Sequence, residues 1–445
     1  MKKVIVVGGG SSGLSAAYTL KKNGYDVTLF DRDKKPGGRL KMYQKDGFSI
    51  NIATQLFVPS YAMAHKLAGD LGISDQFMTV DMSLMRVYYE NGWVNSKPNP
   101  NDPAELAKAG AYAQNMGPNL PKLFEWVSSV SQNMYEGSSD WLADLDGDDS
   151  GNFGDYVRTH FGEEVLECFV QPIVATLAQD DPGKFGVAYG VMLLKSVMGG
   201  TCEVLKYGVG DLATQMIKYL GDSIVANSPV TEIKVVNGRA TGVVVNGVLY
   251  EADAVICATQ GNKVLGLIPG LSDAQKQAIS KVTYCGCMHS MLFYDKVLSD
   301  EMMGGMIPGR TGAPFCGLLF NSRFGSAALP PGKECVSLFY YGSGRDKYWN
   351  SSQEEIAQVS ATEFRKFFPS LPKDFLFAHT EKIEDAIYTM EAGSATAMRK
   401  LREQHYQDVK GLYLAGEYLY TGSVESALNS GCRAAEFVME RREEI

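Results

Sequence analysis

The chain has 445 residues, 45% of them hydrophobic and 21% charged, and a net charge of −9. That balance suits a soluble globular protein with room for two domains and substantial cores. It holds no Lys/Arg run of five or more, which argues against nucleic acid as a partner, and no run of eighteen apolar residues to form a membrane span.

Taken in chain order, Val4-Ile5-Val6-Val7 is a continuous apolar run suited to a strand buried on both faces. At four residues it is expected to be the first strand rather than a signal peptide. Gly8-Gly9-Gly10-Ser11-Ser12-Gly13 follows and fits G-x-G-x-x-G through Gly8, Gly10 and Gly13. Leu14–Leu20 then reads as a helix ended near Gly24, and Asp26–Phe30 as a second strand closed by Asp31. An acid eighteen residues after the third glycine of a βαβ unit is the dinucleotide-binding arrangement. Gly8 allows the tight turn, Gly10 lets the backbone approach a pyrophosphate, and Gly13 lets helix and strand pack closely. The helix N-terminus offers free N–H groups and a positive dipole end to phosphate, and Asp31 can accept hydrogen bonds from a ribose diol.

Pro36-Gly37-Gly38-Arg39 makes the reading more specific. The stretch from Phe30 to Arg39 resembles the extended FAD fingerprint of the flavoprotein superfamily of flavin amine oxidases, protoporphyrinogen oxidases and phytoene-desaturase-like enzymes. That resemblance implies FAD as cofactor, held by Gly8, Gly10, Ser12 and Gly13, by Asp31 and Arg32, and by Gly38 and Arg39. One departure follows. Where the family carries Asp-x-Gly, this chain has Asn51-Ile52-Ala53, so no negative charge is available there.

Residues 102–134 carry helix-period apolar positions at Leu106, Leu123, Phe124 and Val127. A Gly/Asp-rich loop near 136–152 follows. Asp144, Asp146 and Asp148 have calcium-loop spacing, but the sixth position is Asp149 rather than Gly, so a solvated acidic loop is expected and no metal. A further helical stretch begins at Phe153 and runs through Phe169 to Pro172; it resembles the protoporphyrinogen-oxidase- and desaturase-like members more than the amine oxidases. After Tyr207–Leu212 and an amphipathic helix to about Leu220, the pairs Asn237-Gly238 and Asn246-Gly247 predict two hairpins, and Ala252–Thr259 a buried strand. In the superfamily this block completes the FAD domain, and the residue matching Val230 meets adenine through its backbone.

Beyond it, apolar strands are expected at Met288–Tyr294, Cys316–Phe320 and Cys335–Tyr341, with a helix over 353–368. The resemblance aligns His289 with the lysine that holds a water by the flavin in many amine oxidases. A histidine there can hold the same water or act as a base, the alternative being a packing residue. The segment around Tyr388 matches the region of the amine-oxidase flavin-linking cysteine but contains none, so FAD is expected to be noncovalent; Tyr388 lines the pocket or packs in the core. Finally, Leu412–Leu414 breaks into Ala415-Gly416-Glu417, and Ser423-Val424 opens a small-residue helix. This resembles the superfamily's closing motif, which implies flavin contacts from Gly416, Glu417, Ser423 and Val424.

These readings predict an α/β chain: a discontinuous Rossmann-like FAD-binding domain (1–75, 204–265, 400–445) and an α+β substrate-binding domain (76–203, 266–399). The resemblance implies hydride transfer from a C–H bond of a small organic substrate to flavin, with His289 and Tyr388 as the candidate catalytic residues. One glycine fingerprint points to O2 or a quinone as electron acceptor; the alternative is a non-redox isomerase or mutase on the same fold. Eight cysteines without a C-x-x-C read as reduced, buried thiols of a cytoplasmic protein, with Cys285-Gly286-Cys287 as an alternative redox pair. Peripheral membrane contact and a homodimer stay open.

Overall fold

The computed structural model describes residues 2–95, 99–130, 145, 151–198, 200–299 and 301–443. The acidic residues Asp144, Asp146, Asp148 and Asp149 lie outside them.

The first strand, Lys3–Val7, sits in a five-stranded sheet, between Ala254–Cys257 on one side and Asp26–Phe30 on the other. Leu412–Leu414 and Ile224–Val225 complete it, and every pairing is parallel. Val4, Ile5 and Val6 are wholly buried, as a strand covered on both faces requires. The helix Ser11–Lys22 packs on one face against the closing helix Val424–Glu440. Their approach depends on small residues: a Cβ on Gly431 would lie 2.0 Å from the Ser12 carbonyl oxygen, and Ser15 Oγ donates to the Leu428 carbonyl at 2.9 Å. The closing helix also fixes the helix Ala62–Asp70, whose own cap residue gives no side-chain bond. The buried Glu425 carboxylate accepts the Met63 and Ala64 N–H groups at 2.6 and 3.0 Å.

Both Asn-Gly hairpins are present. Asn237, Gly238, Asn246 and Gly247 all have positive φ, the conformation two-residue turns between twisted strands demand. The helix-period stretch 102–134 contains two helices, Pro103–Met116 and Asn119–Ser129, divided at Gly117-Pro118. Residues 131–134 are outside the described residues.

The second large layer is a seven-stranded mixed sheet. Its order is Phe377–Tyr388, Tyr284–Tyr294, Glu334–Tyr340, Phe315–Phe320, Gly304–Met306, Met85–Tyr89 and Gly92–Asn95. The last two form a hairpin that the sequence did not announce, contributed to this sheet from between the FAD-fingerprint region and the helices that follow it. The helix Gln353–Phe367, capped by Ser352, lies against the sheet's outer strands. All eight cysteines are buried free thiols, Cys285 and Cys287 included. Among the described residues no helix is long and apolar enough to cross a membrane, and no group of three His, Cys, Asp or Glu could hold a metal.

Candidate active site

A cavity of about 530 Å³ opens at the carboxyl ends of the parallel strands, where Val7 gives way to Gly8, Phe30 to Asp31, Cys257 to Ala258 and Leu414 to Gly416. This end of an open parallel sheet is where ligands bind, since the loops there diverge and helix N-termini point inward. Gly8, Gly10, Ser12, Asp31, Arg32, Gly38, Arg39, Val230, Gly416 and Glu417 all line it.

The glycine loop is shaped by contacts a side chain would destroy. Gly8 has φ +102, and a Cβ on Gly13 would stand 1.8 Å from the Gly8 carbonyl oxygen, so Gly13 sits behind the wall rather than on it. Gly10 differs. A Cβ there meets nothing within 4 Å and would grow into the cavity. No side chain caps Gly10 as the helix begins, so the first-turn N–H groups are left for an anion. Both features fit a pyrophosphate lying across the loop.

Asp31 is buried at the end of its strand. One carboxylate oxygen accepts the Gly9 N–H and the other the Asp33 N–H at 2.7 Å, so Asp31 ties the glycine loop to the second strand. Arg32 is largely exposed, 3.8 Å from Asp33, and Lys41 pairs with the same Asp33.

At the inner end Arg39 places Nη2 2.7 Å from Glu417 Oε1 and Nη1 2.7 Å from the Ala386 carbonyl. Tyr284 donates its hydroxyl proton to the same Glu417 oxygen at 2.9 Å and accepts the Gly261 N–H at 3.1 Å. Burial, then the Glu417 charge, push the Tyr284 phenol well above its ordinary 10.0, so it remains a donor. Tyr284, with Gln260, Lys263 and Glu381 on the cavity wall, escaped the sequence reading. A signal existed for Gln260, which follows the strand Ala254–Cys257 at its ligand-facing end.

Ser423 and Val424 do not line the cavity: Ser423 caps the closing helix, accepting the Ser426 N–H at 3.1 Å, and Ala427 forms the wall. His289 and Tyr388 do not line it either, and both are wholly buried. His289 lies one layer back. Its Nδ1 is 3.2 Å from the carbonyl of Ile52, its cross-strand neighbour is Glu381, and Ile52 and Glu381 are both wall residues. The ring stacks on Phe339 at 4.8 Å. A carbonyl can only accept, so Nδ1 carries the proton, and Nε2 has no partner among the described residues. Burial pulls His289 from 6.5 down to about 4, which keeps it neutral. Tyr388 packs 6.0 Å from the Tyr284 ring. Asn51, the departure from the family acid, keeps its side-chain oxygen buried, with no hydrogen-bond partner among the described residues.

The family model "Flavin containing amine oxidoreductase" matches residues 11–439. Protoporphyrinogen oxidase 2 of Arabidopsis thaliana is 22% identical over 98% of this chain and 94% of its own. Among solved structures, cyclohexylamine oxidase from Brevibacterium oxydans superposes with a TM-score of 0.77 at 18% identity over 99% of both chains. Reduced UDP-galactopyranose mutase gives 0.72 at 15% identity over 99% of this chain and 96% of that one. These likenesses establish a shared fold, and the family match extends over nearly the whole chain. The chain belongs to the flavin-containing amine oxidoreductases, as an FAD-dependent oxidoreductase.

Proposed function

We propose that the chain is an oxidase or desaturase that removes hydride from a C–H bond, in a CH–CH or CH–N unit, of a small organic substrate. The observation that carries this is the single cavity in which the glycine loop, Asp31, Val230 and the Arg39–Glu417 pair converge. Residues 1–75, 204–265 and 400–445 are the FAD domain in this reading, and the rest is the substrate domain. FAD bound there supplies the two-electron acceptor for the hydride. The loop N–H groups and the N-terminus of Ser11–Lys22 take the phosphate charge, Asp31 takes the ribose, and Val230 borders the adenine. Gly38, Arg39, Gly416 and Glu417 would hold the inner end, and the helix opened by Ser423-Val424 would lend the positive end of its dipole to a bound flavin. Arg32 stands at the mouth.

His289 holds the Ile52 carbonyl of the cavity wall through its Nδ1–H, and Tyr388 packs behind Tyr284. With one glycine fingerprint in the sequence, O2 or a quinone is the acceptor. The buried thiols suit a reducing, cytoplasmic setting.

A second reading, a non-redox mutase, is supported by the fold shared with UDP-galactopyranose mutase. The test is anaerobic addition of porphyrinogens, cyclohexylamine and UDP-galactopyranose, following flavin absorbance. Bleaching by a porphyrinogen or the amine supports the oxidase. No bleaching by either, with UDP-galactopyranose turned over only after chemical reduction of the flavin, overturns it.

A further inference from the structure

The edge strand Phe377–Tyr388 leaves its ladder at one place. Cys285 faces Ile387 and Cys287 faces Ile383, so Glu384, Asp385 and Ala386 together oppose Gly286 alone. A bulge of this kind frees backbone groups and re-aims side chains. Here the freed groups are taken up by the segment that begins the helix Gly261–Leu267 and by Arg39. Asn262 Nδ2 donates to Asp385 Oδ1 at 2.8 Å, and Lys263 Nζ lies 2.7 Å from Asp385 Oδ2. Gln260 Nε2 donates to the Asp385 carbonyl at 3.1 Å, and Arg39 Nη1 to the Ala386 carbonyl at 2.7 Å.

The placement matters more than the number of bonds. Gln260 and Lys263 line one wall of the cavity, Glu381 and Ile383 of the edge strand line another, and the bulge joins the two. The seam lies at the rim, since the side chains of Lys263 and Asp385 are 44% and 21% exposed. Ion pairs this close to water are weak and open readily. All of the bonds run from protein to protein, so none needs a ligand to form.

We propose that the bulge at Asp385 is a latch on the FAD cavity, with Asp385 a positioning residue that holds two walls together and sets how fast FAD enters and leaves. This rests on the reading that FAD occupies the cavity. Because the latch does not depend on FAD, opening it lowers the barrier in both directions and leaves the affinity nearly unchanged. A residue that merely supports the bound geometry would act differently: its loss would speed release alone.

The test measures both rate constants. Apoprotein is mixed with FAD and followed by flavin fluorescence; release is followed after rapid dilution of the holoprotein. Asp385→Ala should raise association and dissociation alike by about tenfold, the loss of one charge-assisted contact, with Kd changed less than about twofold. Asn262→Ala should act in the same direction, and the double variant should add little to Asp385→Ala, since both remove the same contact. Asp385→Asn keeps the oxygen facing Asn262 and drops the charge facing Lys263. It gives a smaller rise, and it carries the test if the alanine variant fails to fold. Wild-type rates in these variants overturn the latch, as does faster release with unchanged association. Gly10→Leu separates this from the underlying reading. Gly10 has φ −78, which any residue adopts, yet its side chain would fill the cavity. If Gly10→Leu binds FAD normally, the cavity assignment fails and the latch with it; if it abolishes binding, the rates above decide the latch alone.

Discussion

His289 shows how much one buried side chain can ask of the fold. Its folded value of about 4 lies below the ordinary 6.5, so between those pH values the unfolded chain binds the proton and the folded one does not. The stability that follows is fully present above pH 6.5 and is lost as pH falls through about 4. The window is worth roughly 3 kcal/mol at ~1.4 kcal/mol per pH unit. Urea unfolding of wild type and His289→Gln from pH 7 to pH 4 should show the wild type losing that much more. Parallel losses would mean that His289 titrates normally. Asp31 is the second test at this scale. Asp31→Ala should weaken FAD binding on the order of tenfold to a hundredfold in a titration of apoprotein, with Asp31→Asn losing less. Part of the loss comes through the Gly9 N–H, which has Asp31 as its buried partner. Spacing marked the glycine loop and Asp31, and the resemblance marked the Arg39 and Glu417 turns; in each the signal is local in sequence. Tyr284 and Glu381 were illegible because nothing near them in sequence marks them; each matters for what lies across a sheet or a cavity from it.

Helices and strands differ in how well they announce themselves. The helix Gln353–Phe367 was readable because Ile356, Ala357, Ser360, Ala361 and Phe364 repeat at helical spacing and are the residues it buries. The edge strand Phe377–Tyr388 was not, since His379, Glu381 and Glu384 interrupt any apolar alternation. Glu381 lines the cavity, Glu384 is exposed and His379 stacks on Tyr43, so the strand's pattern reflects its surroundings rather than a core. The hairpin Met85–Asn95 was missed for a related reason: it joins strands more than two hundred residues away and shows no long apolar run. Packing between the helices Ser11–Lys22 and Val424–Glu440 gives a sharper prediction. Gly431→Val places a side chain against the Ser12 backbone, which cannot yield cheaply, and should cost about 3 kcal/mol or more by urea midpoint. Gly110, in the exposed helix Pro103–Met116, is the matched control: a Cβ there meets nothing within 4 Å, so Gly110→Ala should stabilise by roughly 0.5–1 kcal/mol. Equal effects would show that the helix contact is looser than its geometry.

The α/β architecture as a whole was legible because a parallel sheet fed by a glycine loop has few alternatives. The purified protein should be yellow and should release intact FAD when denatured, since no cysteine lines the cavity: Cys257, which immediately precedes the lining Ala258, is wholly buried. Flavin retained on the unfolded chain would refute this. Free FAD at a hundred times its Kd should add about 2.7 kcal/mol to unfolding, visible as a concentration-dependent Tm. The bond from Ser15 to Leu428 spans 413 residues, and it has a consequence for how the protein is made. The first strand and helix leave the ribosome long before Leu412–Leu414 and the closing helix that complete their sheet and cover their face. At roughly ten residues per second the nascent nucleotide-binding half waits on the order of half a minute, an uncovered apolar surface in need of shelter. Ribosome-stalled chains ending at residue 400 should therefore bind chaperone and hold no FAD, since cofactor capture waits for the closing helix.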